Sequence, residues 1–239
     1  MEEIEKIRNQ LKLAGNSEKA VQVKKYLKSP YEFYGIAVPQ LRKIAKNYKT
    51  LGKYDVYNLF DELWKSGNHE EMSLAMFIIS SCKLYDLETW QFLMKRIEKA
   101  KTWDHVDWIS TDILGTIVAN NINLISEIKQ MAESRNPWLR RASIVSTYKL
   151  IKQNKFELTL RLAEKLVYDE NTYVQKGAGW MLRELGKKNR LALREFILMH
   201  KDMKPFALSY STEKMIELRE IIKKWKKEQK NHSNSNIAL

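Results

Sequence analysis

Apolar residues fall three and four apart along almost all of this chain, the spacing that gathers them on one stripe of an α-helix. Between Ile36 and Tyr48 the set is Ile36, Leu41, Ile44, Ala45 and Tyr48; between Tyr54 and Trp64 it is Val56, Leu59, Phe60 and Leu63. The stretch from Ser73 to Leu84 is apolar on most sides, which predicts a helix enclosed by others. No period-two run is sustained and no Asn-Gly or Asp-Gly pair offers a hairpin turn, so strands are not expected. The punctuation agrees. Asn136-Pro137 supplies a capping side chain followed by proline at the first helical position, and Thr102 precedes Trp103-Asp104 as a second candidate cap. Gly52, Gly67 and Gly186 fall where helices should stop. About twelve helices of roughly 10–18 residues with short links are expected, as in stacked helix hairpins.

A weak internal repeat sharpens that expectation. Asn136-Pro-Trp-Leu-Arg-Arg-Ala-Ser and Asn171-Thr-Tyr-Val-Gln-Lys-Gly-Ala align 35 residues apart, and Asn68-His-Glu-Glu-Met-Ser-Leu-Ala starts 68 residues before the first. A period in the mid-thirties is that of a two-helix unit, and such units stack into an α-α superhelix whose inner helices line the concave face. The expected fold is therefore all-α, a helical-repeat solenoid forming one domain over 1–225. The polar run from Lys226 to the end is expected to be a disordered tail.

Composition restricts the partners. The 239 residues carry 42 Lys plus Arg against 29 Asp plus Glu, a net charge of +13, which draws a chain toward DNA, RNA or an anionic surface. A general lysine bias would raise the charge equally, so charge alone does not choose. Cys82 is the sole cysteine and sits in an apolar stretch, as a structural thiol would. The four histidines, His69, His105, His200 and His232, show no metal-ligand spacing, so no metal and no cofactor is expected. The start lacks an apolar signal core and the longest apolar run, Leu74 to Ile79, is too short to cross a bilayer. A cytoplasmic protein is expected.

Candidate chemistry concentrates in Thr102-Trp-Asp-His-Val-Asp-Trp108. Trp103 and Asp107 are four apart and so share one helix face, where a carboxylate beside an indole suits something cationic. Asp104, three before Asp107, leaves open which acid matters. The plain alternative makes Trp103 and Trp108 core residues, Asp104 a first-turn acid and Asp107 a surface residue. In the aligned repeat segments stand Arg141 and Trp180, with the cations Arg140, Lys176 and Arg183 nearby. Gly177 and Gly179, costly within a helix, suggest close packing or room beside Trp180.

From about Glu18 to Lys188 the chain resembles the AlkD-type DNA glycosylases, proteins of HEAT-like repeats that release N3- and N7-alkylated purines. The resemblance is carried by Glu18-Lys-Ala, Lys25-Tyr-Leu-Lys28, Phe33-Tyr-Gly-Ile36, Pro39-Gln-Leu-Arg42 and Leu63-Trp64. It is most specific in Trp103-Asp-His-Val-Asp107, Trp138-Leu-Arg-Arg141-Ala and Val174-Gln-Lys-Gly-Ala-Gly-Trp180-Met-Leu-Arg-Glu184. It implies a catalytic role for Asp107, a phosphate contact near the lesion for Arg141, and sugar-facing rings at Trp103 and Trp180. Tyr26 is implied near the DNA, and Arg42, Arg140, Lys176 and Arg183 are expected on its backbone. Thr102 stands where the family can carry a second Trp.

The resemblance implies a monomeric enzyme acting on duplex DNA. An alkylated purine already carries positive charge and leaves without a strong acid, so the barrier lies in the sugar as it turns cationic. Asp107 would stabilise that cation and orient a water, and the two indoles would add cation–π stabilisation. The product would be an abasic site in an intact strand. The alternative is a noncatalytic HEAT-like repeat protein that binds damaged or branched DNA, since a solenoid can serve purely as a surface.

Overall fold

Three asparagines start three of the helices that matter most. Asn68 accepts from the backbone N–H groups of Glu70 and Glu71, Asn136 from Trp138, and Asn171 from Tyr173 and Val174. Each supplies an acceptor that the first turn of a helix lacks. These are the asparagines that open the aligned segments, so the sequence repeat marks equivalent helix starts. The computed structural model describes residues 2–235, with side chains over 2–228.

The chain packs as two compact units, Met1–Ile117 and Val118–Leu239, where one domain was expected over 1–225. The first holds α1 (Glu2–Ala14), α2 (Ser17–Leu27), α3 (Val38–Ala45), α4 (Lys53–Trp64), α5 (His69–Ser81), α6 (Leu87–Ile97) and α7 (Trp103–Trp108). A π-helical segment, Ile109–Leu114, continues α7 into α8 (Gly115–Asn120), within which the division falls. The second unit holds α9 (Ile125–Ala132), α10 (Pro137–Val145), α11 (Tyr148–Lys152), α12 (Glu157–Leu166), α13 (Thr172–Gly186), α14 (Arg190–Met199), α15 (Pro205–Ser211) and α16 (Ile216–Ser235). No strand occurs among the described residues; Glu32 and Asn68 form an isolated parallel bridge.

In the first unit α5 packs against α3, α4 and α7, and its residues His69 to Ile79 are buried, as the apolar run predicted. Two of those buried residues are acids. Glu70 accepts from the backbone N–H groups of Tyr34 (3.0 Å), Gly35 (2.7 Å) and Ile36 (3.1 Å), and Glu71 accepts from the Tyr34 hydroxyl (2.7 Å) and Arg8 Nε (3.1 Å). Gly35 takes φ +81, and a Cβ there would lie 2.0 Å from the carbonyl oxygen of Asn16, so only glycine passes this turn. The segment ahead of α3 is thus fixed from α5 by one carboxylate.

In the second unit α10, α13 and α15 lie side by side, with α9, α12 and α14 packed against them. This is the inner and outer pairing of a helical-repeat protein. A Cβ on Gly179 would lie 2.6 Å from the Ala207 carbonyl oxygen and 2.7 Å from Tyr210 Cβ, so this glycine lets α13 meet α15 closely. Gly186, expected beyond a helix end, is the last residue of α13; a Cβ there would strike the Leu193 side chain. Helix α16 continues through Lys226 to Ser235, so the polar end expected to be disordered is helical that far; residues 236–239 of that tail lie outside the described residues. Among the described residues no helix is long and apolar enough to cross a membrane.

Candidate active site and nucleic-acid interface

Helix α7 carries the first half of the expected residues. Trp103 and Asp107 stand one turn apart on it, Trp103 partly exposed and Asp107 only 8% exposed. That burial removes the reading of Asp107 as an ordinary surface acid. Its backbone carbonyl accepts from the Thr111 hydroxyl at 2.7 Å, inside the π-helical turn. The edge of Tyr26, itself 73% exposed, meets Trp103 with ring centroids 6.0 Å apart. Arg42 is exposed and lays its guanidinium 4.4 Å from the Trp108 ring centroid and 5.4 Å from that of Phe77. Such stacking holds an arginine in place without consuming its hydrogen-bond donors. Three residues expected near nucleic acid in this unit are therefore presented on aromatic supports.

The start of α7 is held differently from expectation. Thr102 occupies the N-cap position, but its hydroxyl makes no capping hydrogen bond and is buried. Asp104 is not a free first-turn acid: its Oδ2 lies 2.6 Å from His69 Nε2 on α5. His69 is stacked between Phe33 (centroids 4.5 Å) and His105 (4.3 Å), and His105 Nε2 lies 3.1 Å from Ser73 Oγ. The pair of His69 and Asp104 was not singled out by sequence, although 35 residues separate its members and that is the interval of the repeat.

His69, Asp104 and His105 bring three potential metal-ligating atoms within 4.8 Å of one another. The ring geometry opposes coordination. The two imidazoles are only 18° from parallel, so their in-plane lone pairs run side by side and do not converge on one point. A 2.6 Å contact between Nε2 and Oδ2 is that of a strong hydrogen bond. Burial pushes the Asp104 carboxyl up, but the bond to His69 and the nearby imidazoles outweigh it and hold the group at about 2. Burial and the adjacent His69 push His105 down to about 3, so it is neutral at pH 7.

These two groups make stability depend on pH. Below about pH 6.5 the unfolded chain protonates at His105 while the folded protein does not until about pH 3, so the folded state loses stability on acidification through that window. Asp104 adds a further loss between its unfolded value near 3.8 and about 2. Urea midpoints measured from pH 7 to pH 4 should fall, with this site contributing up to about 1.4 kcal/mol per pH unit below pH 6. In His105→Phe that contribution should vanish, so a constant difference between the two proteins over this range refutes the assignment.

The second unit carries the other half. Arg141 is 5% exposed and its Nη1 donates to the Tyr173 carbonyl. A Cβ on Gly177 would lie 3.2 Å from both Cγ and Nη1 of Arg141, so the glycine makes room for this guanidinium. Trp180 is one turn further along the same face of α13, with its ring 6.3 Å from that of Tyr148. Neither Tyr148 nor Tyr173 was singled out by sequence. Lys176 sits 4.7 Å from the Phe206 ring centroid and 5.6 Å from that of Tyr173.

Two cations expected on DNA are committed elsewhere. Arg140 grips Asp169 through Nε (2.6 Å) and Nη2 (3.0 Å), and its Nη1 donates to the carbonyls of Ser134 and Arg135. Its fork is filled, and its part is to tie α10 to the turn before α13. Arg183 pairs with Glu213 and Glu184.

Paired helices arranged in repeats, with an acid-and-indole turn on one inner helix and a buried arginine beside an indole on another, define a helical-repeat protein equipped for chemistry on a polyanion. The family model for the DNA alkylation repair enzymes matches residues 7–215, and the chain belongs to that family. Among solved structures, a predicted DNA alkylation repair enzyme from Enterococcus faecalis superposes with a TM-score of 0.75 at 20% identity, over 84% of this chain and 96% of that one. AlkD2 from Streptococcus mutans gives 0.60 at 17% identity, over 82% and 96%. The protein smu.31 from Streptococcus mutans UA159 gives 0.56 at 18% identity, over 81% and 94%. At these identities the likeness concerns the fold. A sequence comparison with curated proteins finds no significant match.

Proposed function

We propose that this protein is a DNA glycosylase that hydrolyses the N-glycosidic bond of cationic N3- and N7-alkylated purines in duplex DNA, acting as a monomer and leaving an abasic site. The observation that carries the reading is Asp107: a carboxylate 8% exposed, one helical turn from Trp103, in a chain of the DNA alkylation repair family. A buried acid is retained at a cost unless it is partnered or used, and a positive sugar is a use that fits its charge. From the first unit the reaction draws Asp107, which stabilises the developing oxocarbenium and orients water, and Trp103, whose ring face adds cation–π attraction. From the second it draws Trp180 in the same capacity and Arg141 on a backbone phosphate. Tyr26, Arg42 and Lys176 hold the duplex without reading sequence. Because the leaving base is already cationic, no general acid is required, and with no lysine nucleophile assigned the strand stays uncut.

The test is direct. Incubation with duplex containing 7-methylguanine or 3-methyladenine should release free base and leave alkali-labile sites, with no strand break before alkali. Duplex binding with no base released from either lesion would reduce the protein to a DNA-binding scaffold. Affinity for undamaged duplex should also fall steeply with salt, the logarithmic slope approaching about 0.9 per phosphate neutralised. A flat salt response measured by anisotropy would contradict backbone contacts by Arg42, Lys176 and Arg141.

A further inference from the structure

The second unit contains a cleft of about 310 Å³ that none of the assigned residues except Arg183 touches. Five cations line it from separate elements: Arg183 near the end of α13, Lys187 and Lys188 just beyond it, Arg190 at the start of α14, and Lys214 before α16. Three carboxylates answer them. Glu184 pairs with Lys187 and Arg183, Glu213 with Arg183 and Lys214, and Glu217 with Arg190. The group therefore keeps a surplus of positive charge, and Lys188 makes no ion pair among the described residues. The acids hold the cations over the cleft at fixed positions without cancelling them.

Two helix starts add to this field. Arg190 is the first residue of α14, and Lys214 and Met215 lead directly into α16. The Asn189 side chain accepts from Ala192, which leaves the amides of Arg190 and Leu191 without an intrahelical acceptor. Helix starts carry partial positive charge and outward-facing donors, the combination that receives tetrahedral oxyanions. Guanidinium forks suit the same geometry, and lysines add point charge.

We infer that this cleft, with Lys188, Arg190 and Lys214 at its rim, is a phosphate-binding site. Its chemistry stands on these side chains and helix starts; its source, as a backbone phosphate of a duplex held elsewhere on the protein, rests on the proposed function. The alternative source is a free phosphate or mononucleotide.

The full-length protein labelled with 15N is titrated with inorganic phosphate, against chloride at equal ionic strength, following the amides of Arg190, Leu191 and Ile216. Saturable shifts confined to this cleft are expected. The double variant Lys188→Ala/Lys214→Ala, which changes exposed side chains, should weaken them at least ~10-fold for the loss of two charge-assisted contacts. The titration is then repeated with undamaged duplex. Shifts of the same amides, reversed by added phosphate, support the site with DNA as its source. Phosphate binding with these amides unmoved by duplex supports the site with a free phosphate as its source. No saturable shift with either probe, or equal affinity in the double variant, overturns the inference. A protein that binds phosphate here but no duplex at all counts against the proposed function and leaves the cleft standing.

Discussion

Asp107→Asn should release alkylated base at least ~100-fold more slowly than the parent protein while binding duplex about as well, the scale expected when one oriented electrostatic group is lost. The substitution keeps the size and planarity of the side chain and removes its charge, so it tests the carboxylate as an anion and not as a filler of space. The buried position makes that distinction sharp, because at 8% exposure the group acts through surroundings that screen poorly. A cationic sugar between bond breaking and water attack has no other negative partner among the residues assigned to the reaction. Single-turnover release of 7-methylguanine, with anisotropy on an undamaged duplex and a thermal midpoint as controls, decides the matter. Release within about threefold of the parent would take Asp107 out of the mechanism. Loss of release accompanied by loss of fold would be diagnosed by the midpoint, and Trp103→Phe, which keeps a ring but weakens its face, then serves as the second probe.

The largest loss of stability should come from Glu70→Ala. Its carboxylate accepts three backbone N–H groups, from Tyr34, Gly35 and Ile36, and it is 3% exposed. Alanine would leave those donors buried without an acceptor, at about 1–3 kcal/mol each less whatever water recovers. A total of about 3–5 kcal/mol is expected, a fall of roughly 10 °C or more in the thermal midpoint for a unit of this size. Glu70→Gln retains one acceptor oxygen and should lose about half as much. A change below about 1 kcal/mol in Glu70→Ala would show that the segment ahead of α3 is held by other means.

Much of this architecture is legible from residue order because it is local. An asparagine before a helix caps that helix whatever surrounds it, so Asn68, Asn136 and Asn171 reveal the repeat directly. The run from Ser73 to Leu84 announces an enclosed helix, because only burial on all sides tolerates it. Trp103 and Asp107 share a face by spacing alone. What escapes is set by neighbours from other repeats. Thr102 has the chemistry of a cap but is turned into the interior, Asp104 is claimed by His69, and Arg140 is claimed by Asp169 while Arg141, one residue on, goes to Tyr173. Adjacent arginines are indistinguishable in sequence because a step of one residue on a helix changes the face, and which face meets which helix is decided by packing. Glycine was ambiguous for the same reason: Gly177 makes room for Arg141, Gly179 for α15 and Gly186 for α14.

The wide turn at Ile109–Leu114 makes chain length a functional variable in its own right. An α-helix rotates about 100° per residue, and a π-turn absorbs one residue more than an α-turn does. The anchors Ile113, Leu114 and Ile117 beyond it are buried, so trimming a single residue from the turn would leave them seated and swing α7 around its axis instead. The indole of Trp103 and the carboxyl of Asp107 would then point elsewhere with every chemical group still present. A relative shortened by one position here would look intact when compared letter by letter and yet aim its acid at nothing.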